Sequence, residues 1–301
     1  MKAALLVGYG DVDQLVIREV PEPTTGPGEV KVRVVATSIN PIDWKLRAGV
    51  KRPGLTLELP AILGRDAAGE VVEVGPGVTR LHVGARVAGL VMGGYAEWVV
   101  AKEEAWAEVP ASMPVHEAAA IPLVALTGAQ LVDEGVRPRS GDAVLVTGAV
   151  GSVGRVAVFA AKGHGVRVWA GVRRTQQAAA AALNVEGVVA LDDERVGSDV
   201  PELDGIADTV GGAPMQRLLP RVRRGGAVAT VVGEPAGARE RGLDVRHVWA
   251  KPDAERLAAI LLAVAGGDLI IPIARRFALS EIRDAQALAE KGAGGKVLVE
   301  M

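Results

Sequence analysis

Between residues 143 and 230 short apolar runs alternate with helix-like segments, and this alternation constrains the fold more than any other feature of the chain. "DAVLVTG" reads as a buried strand, "SVGRVAVFAAKGHG" as a helix, "VRVWAGV" as a strand, "TQQAAAAALN" as a helix and "GVVALDD" as a strand. "GIADTVGG" follows, then the helix "PMQRLLPRV" and the strand "GAVATVVG". Strands that are apolar throughout are covered on both faces, and their alternation with helices predicts a parallel sheet. The first strand–helix junction carries Gly148, Gly151 and Gly154. Gly148 permits a tight turn, Gly151 lets the backbone approach a pyrophosphate, and Gly154 lets the helix pack on the strand. The helix N-terminus then offers N–H groups and the positive end of its dipole. The spacing is G-x-x-G-x-x-G, not the commoner G-x-G-x-x-G, and glycine also serves such turns for backbone reasons alone. The strands and helices that follow favour a nucleotide site.

Three competing readings lack their residues. A P-loop ends in Gly-Lys-Ser/Thr, where this chain has "SVGRVA". A short-chain dehydrogenase needs Tyr and then Lys four residues on, but Tyr9 and Tyr95 are followed at that spacing by Asp13 and Val99. The Gly-x-Ser-x-Gly elbow of serine hydrolases does not occur. An NAD site places an acidic residue after the second strand to hold the ribose hydroxyls. Here Arg173 and Arg174 stand there, and two guanidinium groups suit a 2′-phosphate. Basic residues are unfavourable at a helix start, which makes a merely solvated role harder to justify. The expected cofactor is NADPH.

The rest of the chain has a different texture. "EVKVRVVATSI", "GEVVEVG", "ARVAGLV" and "YAEWVVA" are valine-rich strand-like runs separated by turn signals such as "TTGPGE" and "GPGV", as in a barrel or sandwich. From Pro114 the composition turns helical, with a break at Pro122. The tail reads as the helix "DAERLAAILLAVAGG", the strand "PIARRFAL", the helix "SEIRDAQALAEKG" and the strand "GKVLVEM". With 301 residues there is room for two domains.

A net charge of -2 gives no electrostatic case for nucleic acid or an anionic membrane surface. No uninterrupted apolar segment is long enough to span a bilayer, and "MKAALLVGYGDVDQ" lacks the apolar length of a signal peptide, so the expected location is cytoplasmic. The chain has no cysteine, and none of its four histidines lies at a ligand spacing from another, so no metal site is expected.

Along essentially its whole length the chain resembles the zinc-independent quinone oxidoreductases of the medium-chain dehydrogenase/reductase superfamily, the group that includes zeta-crystallin. "VRVVATSINPIDWKLRAGV" is similar to that family's "vNpxDxyxrxG" segment, and "PAILGRDAAGEVVEVGPGV" to its "P…lGxDxaGxVxxvGxgV" segment. "GGYAEWVV", "AAAIPLVALTGAQL", "TGAVGSVG" and the terminal "GGKVLVE" follow in the family's order. The resemblance implies an α/β protein: a GroES-like β-barrel catalytic domain made from residues 1–113 and 249–301, and a Rossmann domain, a doubly wound parallel sheet, over 114–248. It implies a cofactor in the cleft between domains and a homodimer formed through an edge strand of the Rossmann sheet, near "LDVRHVWA". It also implies site residues. Asn40 matches an asparagine near nicotinamide and substrate, and Thr127 a threonine that contacts the cofactor. Gly148, Ala149, Val150, Gly151, Ser152 and Val153 form the pyrophosphate turn. Val210, Gly211 and Gly233 match strand ends beside the nicotinamide, and Lys296 the Gly-Lys near the C-terminus.

Two departures bear on chemistry. Trp44 stands where many members have Tyr, which exchanges a hydroxyl for an indole N–H at an expected catalytic position. Arg65 stands where zinc-dependent relatives carry a histidine ligand. The expected reaction is hydride transfer from NADPH to a quinone, with reduction of an enone or enoyl thioester, or cofactor binding without turnover, as alternatives. An enone would need an enolate stabiliser, for which the Asn40 amide is the candidate. Asp66 is expected to hold loop backbone rather than transfer protons. The basic stretch Lys45, Arg47, Lys51 and Arg52 reads as a solvated loop, or as a sign of an anionic substrate.

Overall fold

The computed structural model describes residues 1–50, 57–194, 196 and 200–301. Lys51 and Arg52 therefore lie outside the described residues. From the N-terminus the elements are β1 (Lys2–Leu6), β2 (Leu15–Glu19), β3 (Glu29–Ile39), α1 (Pro41–Arg47), β4 (Ala61–Ile62), β5 (Asp66–Val74), β6 (Arg86–Leu90), β7 (Trp98–Lys102) and β8 (Trp106–Glu108). Next come α2 (Val115–Ala118), α3 (Pro122–Gln130), β9 (Ala143–Thr147), α4 (Ser152–Gly163), β10 (Arg167–Val172), α5 (Gln177–Ala181), β11 (Gly187–Ala190) and β12 (Leu203–Asp208). The chain continues through α6 (Gly212–Leu218), β13 (Val222–Thr230), β14 (Asp244–His247), α7 (Ala254–Ala265), β15 (Ile273–Ala278), α8 (Ile282–Lys291) and β16 (Lys296–Glu300).

Two compact units result: unit 1 is residues 1–123 with 252–301, and unit 2 is residues 124–251. The divisions fall later than the texture change at Pro114 and Trp249 implies. In unit 1 the run Ala118–Ile121 is buried, and the Leu123 N–H donates to Asp66 (2.7 Å). At the other division, Gln130 and Lys251 exchange two hydrogen bonds (2.9 and 3.0 Å), which keep the chain with unit 2 as far as Lys251.

Unit 1 is built on antiparallel pairing. A seven-stranded sheet runs β15-β16-β3-β5-β6-β8, with β7 also on β3, and a three-stranded sheet runs β2-β1-β4. The eleven residues of β3 serve three partners: β7 pairs its first half, β16 its second half, and β5 most of its other edge. Val30, Val32 and Val34 point to one side and are buried with Val71, Val87 and Trp106. This is the period-two burial of a strand with one apolar face. A second core gathers Leu6, Leu15, Ile39, Leu46, Tyr95, Val297 and Val299. Strand β16, from the C-terminal end, thus sits beside β3, and both termini of the chain belong to this unit.

Unit 2 is a six-stranded sheet in the order β11-β10-β9-β12-β13-β14, and every described pairing in it is parallel. The order runs outward from β9 to one edge and then restarts on its other side, as in a doubly wound nucleotide-binding sheet. The five residues of β9 are all fully buried. Val144 and Val146 face one core with α4, while Ala143 and Leu145 face the other with α6. Two covered faces are the reason this strand is apolar throughout. Helix α5 is shorter than "TQQAAAAALN" suggests, since after Ala181 the chain leaves the helix and Asn184 takes a positive φ of 52°.

Candidate active site

The glycine turn at the end of β9 has the steric character its spacing predicts. Gly148 has φ +65°, and a Cβ there would lie 2.4 Å from Thr209 Oγ1. A Cβ on Gly154 would lie 2.1 Å from the Gly148 carbonyl oxygen, so only glycine lets α4 start this close to the strand end. The N-cap of α4 is Gly151, which has no side chain to satisfy the first-turn N–H groups. Ala149 is buried in the core, and Val150, Ser152 and Val153 are half-buried. Thr127 precedes Gly128, where a Cβ would stand 2.6 Å from the Val153 carbonyl oxygen, so α3 passes directly against the first turn of α4.

One carboxylate ties the neighbouring strand ends together. Asp208, the last residue of β12, is fully buried. Its Oδ1 accepts from the Thr147 hydroxyl (2.7 Å) and from the N–H groups of Val210 (3.1 Å) and Gly211 (2.9 Å). Its Oδ2 lies 3.1 Å from the Thr230 hydroxyl, which takes the N–H groups of Val232 (3.2 Å) and Gly233 (3.3 Å). Thr147 also receives the Thr209 N–H at 2.8 Å. Above these bonds Val210, Gly211, Val232 and Gly233 line a hollow of about 290 Å³, with Val210 45% exposed and Val232 41%.

Arg173 and Arg174 follow β10, both exposed. The Arg174 guanidinium pairs with Asp193 at 2.7 Å, and its backbone N–H donates to Asp192 at 2.8 Å. The Arg173 N–H donates to Gln176 at 3.2 Å.

In unit 1 the expected residues gather around two buried aspartates. Asp66 Oδ2 accepts from Ser38 (2.5 Å) and Asn40 Nδ2 (2.7 Å), and Oδ1 accepts from Leu123 N–H. Lys296 is buried. Its ammonium donates to Asn40 Oδ1 (2.6 Å) and lies 3.5 Å from Asp66 Oδ2. Burial pulls the Lys296 pKa down, against the opposing pull of Asp66 and Asp43. Asn40 precedes α1, and its N–H donates to Asp43 Oδ2 (2.8 Å), which also accepts from the Tyr95 hydroxyl (2.8 Å). Desolvation pushes Asp43 up to about 7 despite those two hydrogen bonds, and burial also raises the Tyr95 phenol well above its ordinary value. Trp44 is half-buried and packs on the apolar core of Leu6, Leu15 and Ile39. Arg47 corrects the reading of a solvated basic loop. It is 3% exposed and donates to Gln286 (2.8 Å), Glu290 (2.6 Å) and the Gly10 carbonyl (2.7 Å).

Comparison with known proteins decides the family. Residues 26–111 match the alcohol dehydrogenase GroES-like domain. The chain is 31% identical to the chloroplast envelope quinone oxidoreductase homolog of Arabidopsis thaliana, over 94% of this chain and 92% of that one. It is 32% identical to a quinone oxidoreductase of Pseudomonas aeruginosa, over 99% of both chains. This chain belongs to the zinc-independent quinone oxidoreductase family of the medium-chain dehydrogenase/reductase superfamily. The solved quinone oxidoreductase of Coxiella burnetii superposes with a TM-score of 0.91 at 27% identity, covering 100% of this chain and 99% of that one.

As a quinone oxidoreductase family member the protein is an oxidoreductase that uses a nicotinamide cofactor. Unit 2 fits that group: the glycines leave a cradle a Cβ would fill, the cap glycine leaves the α4 N–H groups to an anion, and the loops after β12 and β13 line a hollow. The position of a zinc-ligating histidine is taken by Arg65, whose Nε donates to the Val91 carbonyl (2.9 Å). Sequence reasoning missed Asp208, Thr147 and Thr230. A signal was present, since three neighbouring strands that are otherwise mostly apolar each end on a carboxylate or hydroxyl.

Proposed function

We infer that the protein is an NADPH-dependent quinone oxidoreductase. When bound, NADPH supplies a hydride from its nicotinamide ring, and a quinone accepts it. The observation that carries the cofactor choice is the Arg173–Arg174 pair at the end of β10, on the adenosine side of the switch point between β9 and β12. Arg174 pairs only weakly for its geometry: its side chain is 66% exposed, and exposed ion pairs contribute about 0–1 kcal/mol. A 2′-phosphate dianion would compete well with Asp193 for that guanidinium. The pyrophosphate falls to the first turn of α4 at Gly151, Ser152 and Val153, with Gly148, Ala149 and Val150 shaping the turn and α3 bringing Thr127 alongside. Val210, Gly211 and Gly233 line the nicotinamide half.

The choice of acceptor rests on unit 1. The Asn40 amide is committed, donating to Asp66 and, at 3.4 Å, to the Ser38 carbonyl, and accepting from Lys296. In this reading Lys296 acts by positioning Asn40. An amide so engaged is a poor enolate stabiliser, which supports a quinone, whose reduced oxyanion takes its proton from water. The test is NADPH oxidation with benzoquinone, phenanthrenequinone and a simple enone. Quinones as the best acceptors support the reading, and turnover of the enone alone would make the protein an alkene reductase. Tight NADPH binding without any turnover would make it a binding protein.

A homodimer in the cytoplasm completes the proposal. In its favour, β14 is an edge strand with Trp249 47% exposed just beyond it, and among the described residues no helix is long and apolar enough to cross a membrane. Light scattering on the purified protein measures the oligomeric state.

A further inference from the structure

We propose that Asp208 is a positioning residue for the nicotinamide half of the cofactor, a role that rests on the function inferred above. Asp208 is a buried carboxylate held by neutral donors. Two of them are the backbone N–H groups of Val210 and Gly211, and one is the hydroxyl of Thr230, itself the acceptor for Val232 and Gly233. These four residues belong to the two loops that line the hollow at the strand ends. The third strand end joins through Thr147, whose hydroxyl donates to Asp208 while accepting from Thr209. Asp208 thus fixes the β12 and β13 loops relative to each other and to the glycine turn after β9. Hydrogen bonds to a buried charge are stronger and more directional than neutral ones, so the arrangement is preorganised before any ligand arrives.

The sheet order gives the role its selectivity. A dinucleotide lies across the point where strand order reverses, with its adenosine half toward β10 and its other half toward β12 and β13. All four loop residues tied through Asp208 lie on the β12–β13 side. Asp208 therefore acts on one half of the cofactor.

Replacing Asp208 by Asn keeps an oxygen for Thr147, Val210 and Gly211 but turns an NH₂ toward Thr230. That NH₂ competes with the Val232 and Gly233 N–H groups for the Thr230 oxygen, while the Thr230 proton goes to the Gly233 carbonyl, 3.2 Å away, so the tie between the β12 and β13 loops is weakened and the β13 loop shifts. Calorimetric titration of the intact chain with NADPH and with 2′,5′-ADP, which lacks the nicotinamide half, tests this. In Asp208→Asn the Kd for NADPH is expected to rise about tenfold, while that for 2′,5′-ADP changes less than about twofold. Equal weakening of both ligands, or of neither, would overturn the role. If Asp208→Asn does not fold, Thr230→Val, which cuts the same link, is read in the same way. A wild-type chain that binds neither ligand would overturn the nucleotide reading itself, and with it this proposal.

Discussion

Asp66 in unit 1 and Asp208 in unit 2 are both fully buried at a strand end and both accept from a hydroxyl and a backbone N–H, yet Asp66 also has a lysine beside it, whereas the partners of Asp208 among the described residues are hydroxyls and backbone N–H groups alone. The Asp66 arrangement joins distant parts of the chain: β3, β5, the start of α3 and β16. The Asp208 arrangement joins loops that line a hollow. A buried ion pair is costly to break by halves, since the surviving charge has no partner. Neutral donors around a carboxylate make it a hub for loop geometry. The first cluster ties strands of its unit together and holds Asn40, and the second holds the loops that line a hollow.

The largest expected effect therefore follows from breaking the charged cluster. Lys296→Met leaves Asp66 without its cation and should destabilise unit 1 by about 3–5 kcal/mol, measured by chemical denaturation. Adding Asp66→Asn should recover most of that loss, and no recovery would mean that the pair is not what holds these strands. In unit 2 the steric demand comes next. Gly154→Ala places a methyl against the Gly148 carbonyl and should cost about 1–3 kcal/mol in thermal melting, together with weaker nucleotide binding.

Asp43 sharpens the contrast through pH. Its folded pKa is raised from 3.8 to about 7, so the folded state favours the protonated acid. The stability this group contributes is present below its unfolded pKa and is lost as pH rises through about 7. Asp43→Asn keeps an acceptor for Asn40 and Tyr95 and does not ionise. It should come close to the wild type at about pH 4 and exceed it by about 4 kcal/mol at about pH 8. An advantage over the wild type that is the same at both values would place the Asp43 titration outside that window.

How much of this was readable beforehand depends on how local each constraint is. The glycine turn could be read because Gly148, Gly151 and Gly154 meet their demands within seven residues of chain. The strand–helix alternation of unit 2 follows from burial on two faces, which each strand records in its own composition. Arg47 was misread because its partners, Gln286 and Glu290, lie 239 and 243 residues away and enter unit 1 only through the chain's return. The burial of Lys296 depends on β16 pairing with β3, which no local pattern announces. Asp208 was hidden for a different reason, since a lone aspartate before Thr-Val-Gly-Gly looks like a turn residue until its neighbours' strand ends are aligned.

The smallest effect on stability is expected at the two arginines, where it coincides with a large effect on function. Arg174→Ala removes an exposed ion pair and should change stability by no more than about 0.5 kcal/mol. The most direct test of the account is the ratio of kcat/KM for NADPH to that for NADH, with a quinone acceptor, in the wild type and in the Arg173→Ala/Arg174→Ala double variant. The account predicts a strong wild-type preference for NADPH that falls by about tenfold or more in the variant, through the NADPH value alone. Equal use of both cofactors by the wild type, or a preference the variant retains, would contradict it.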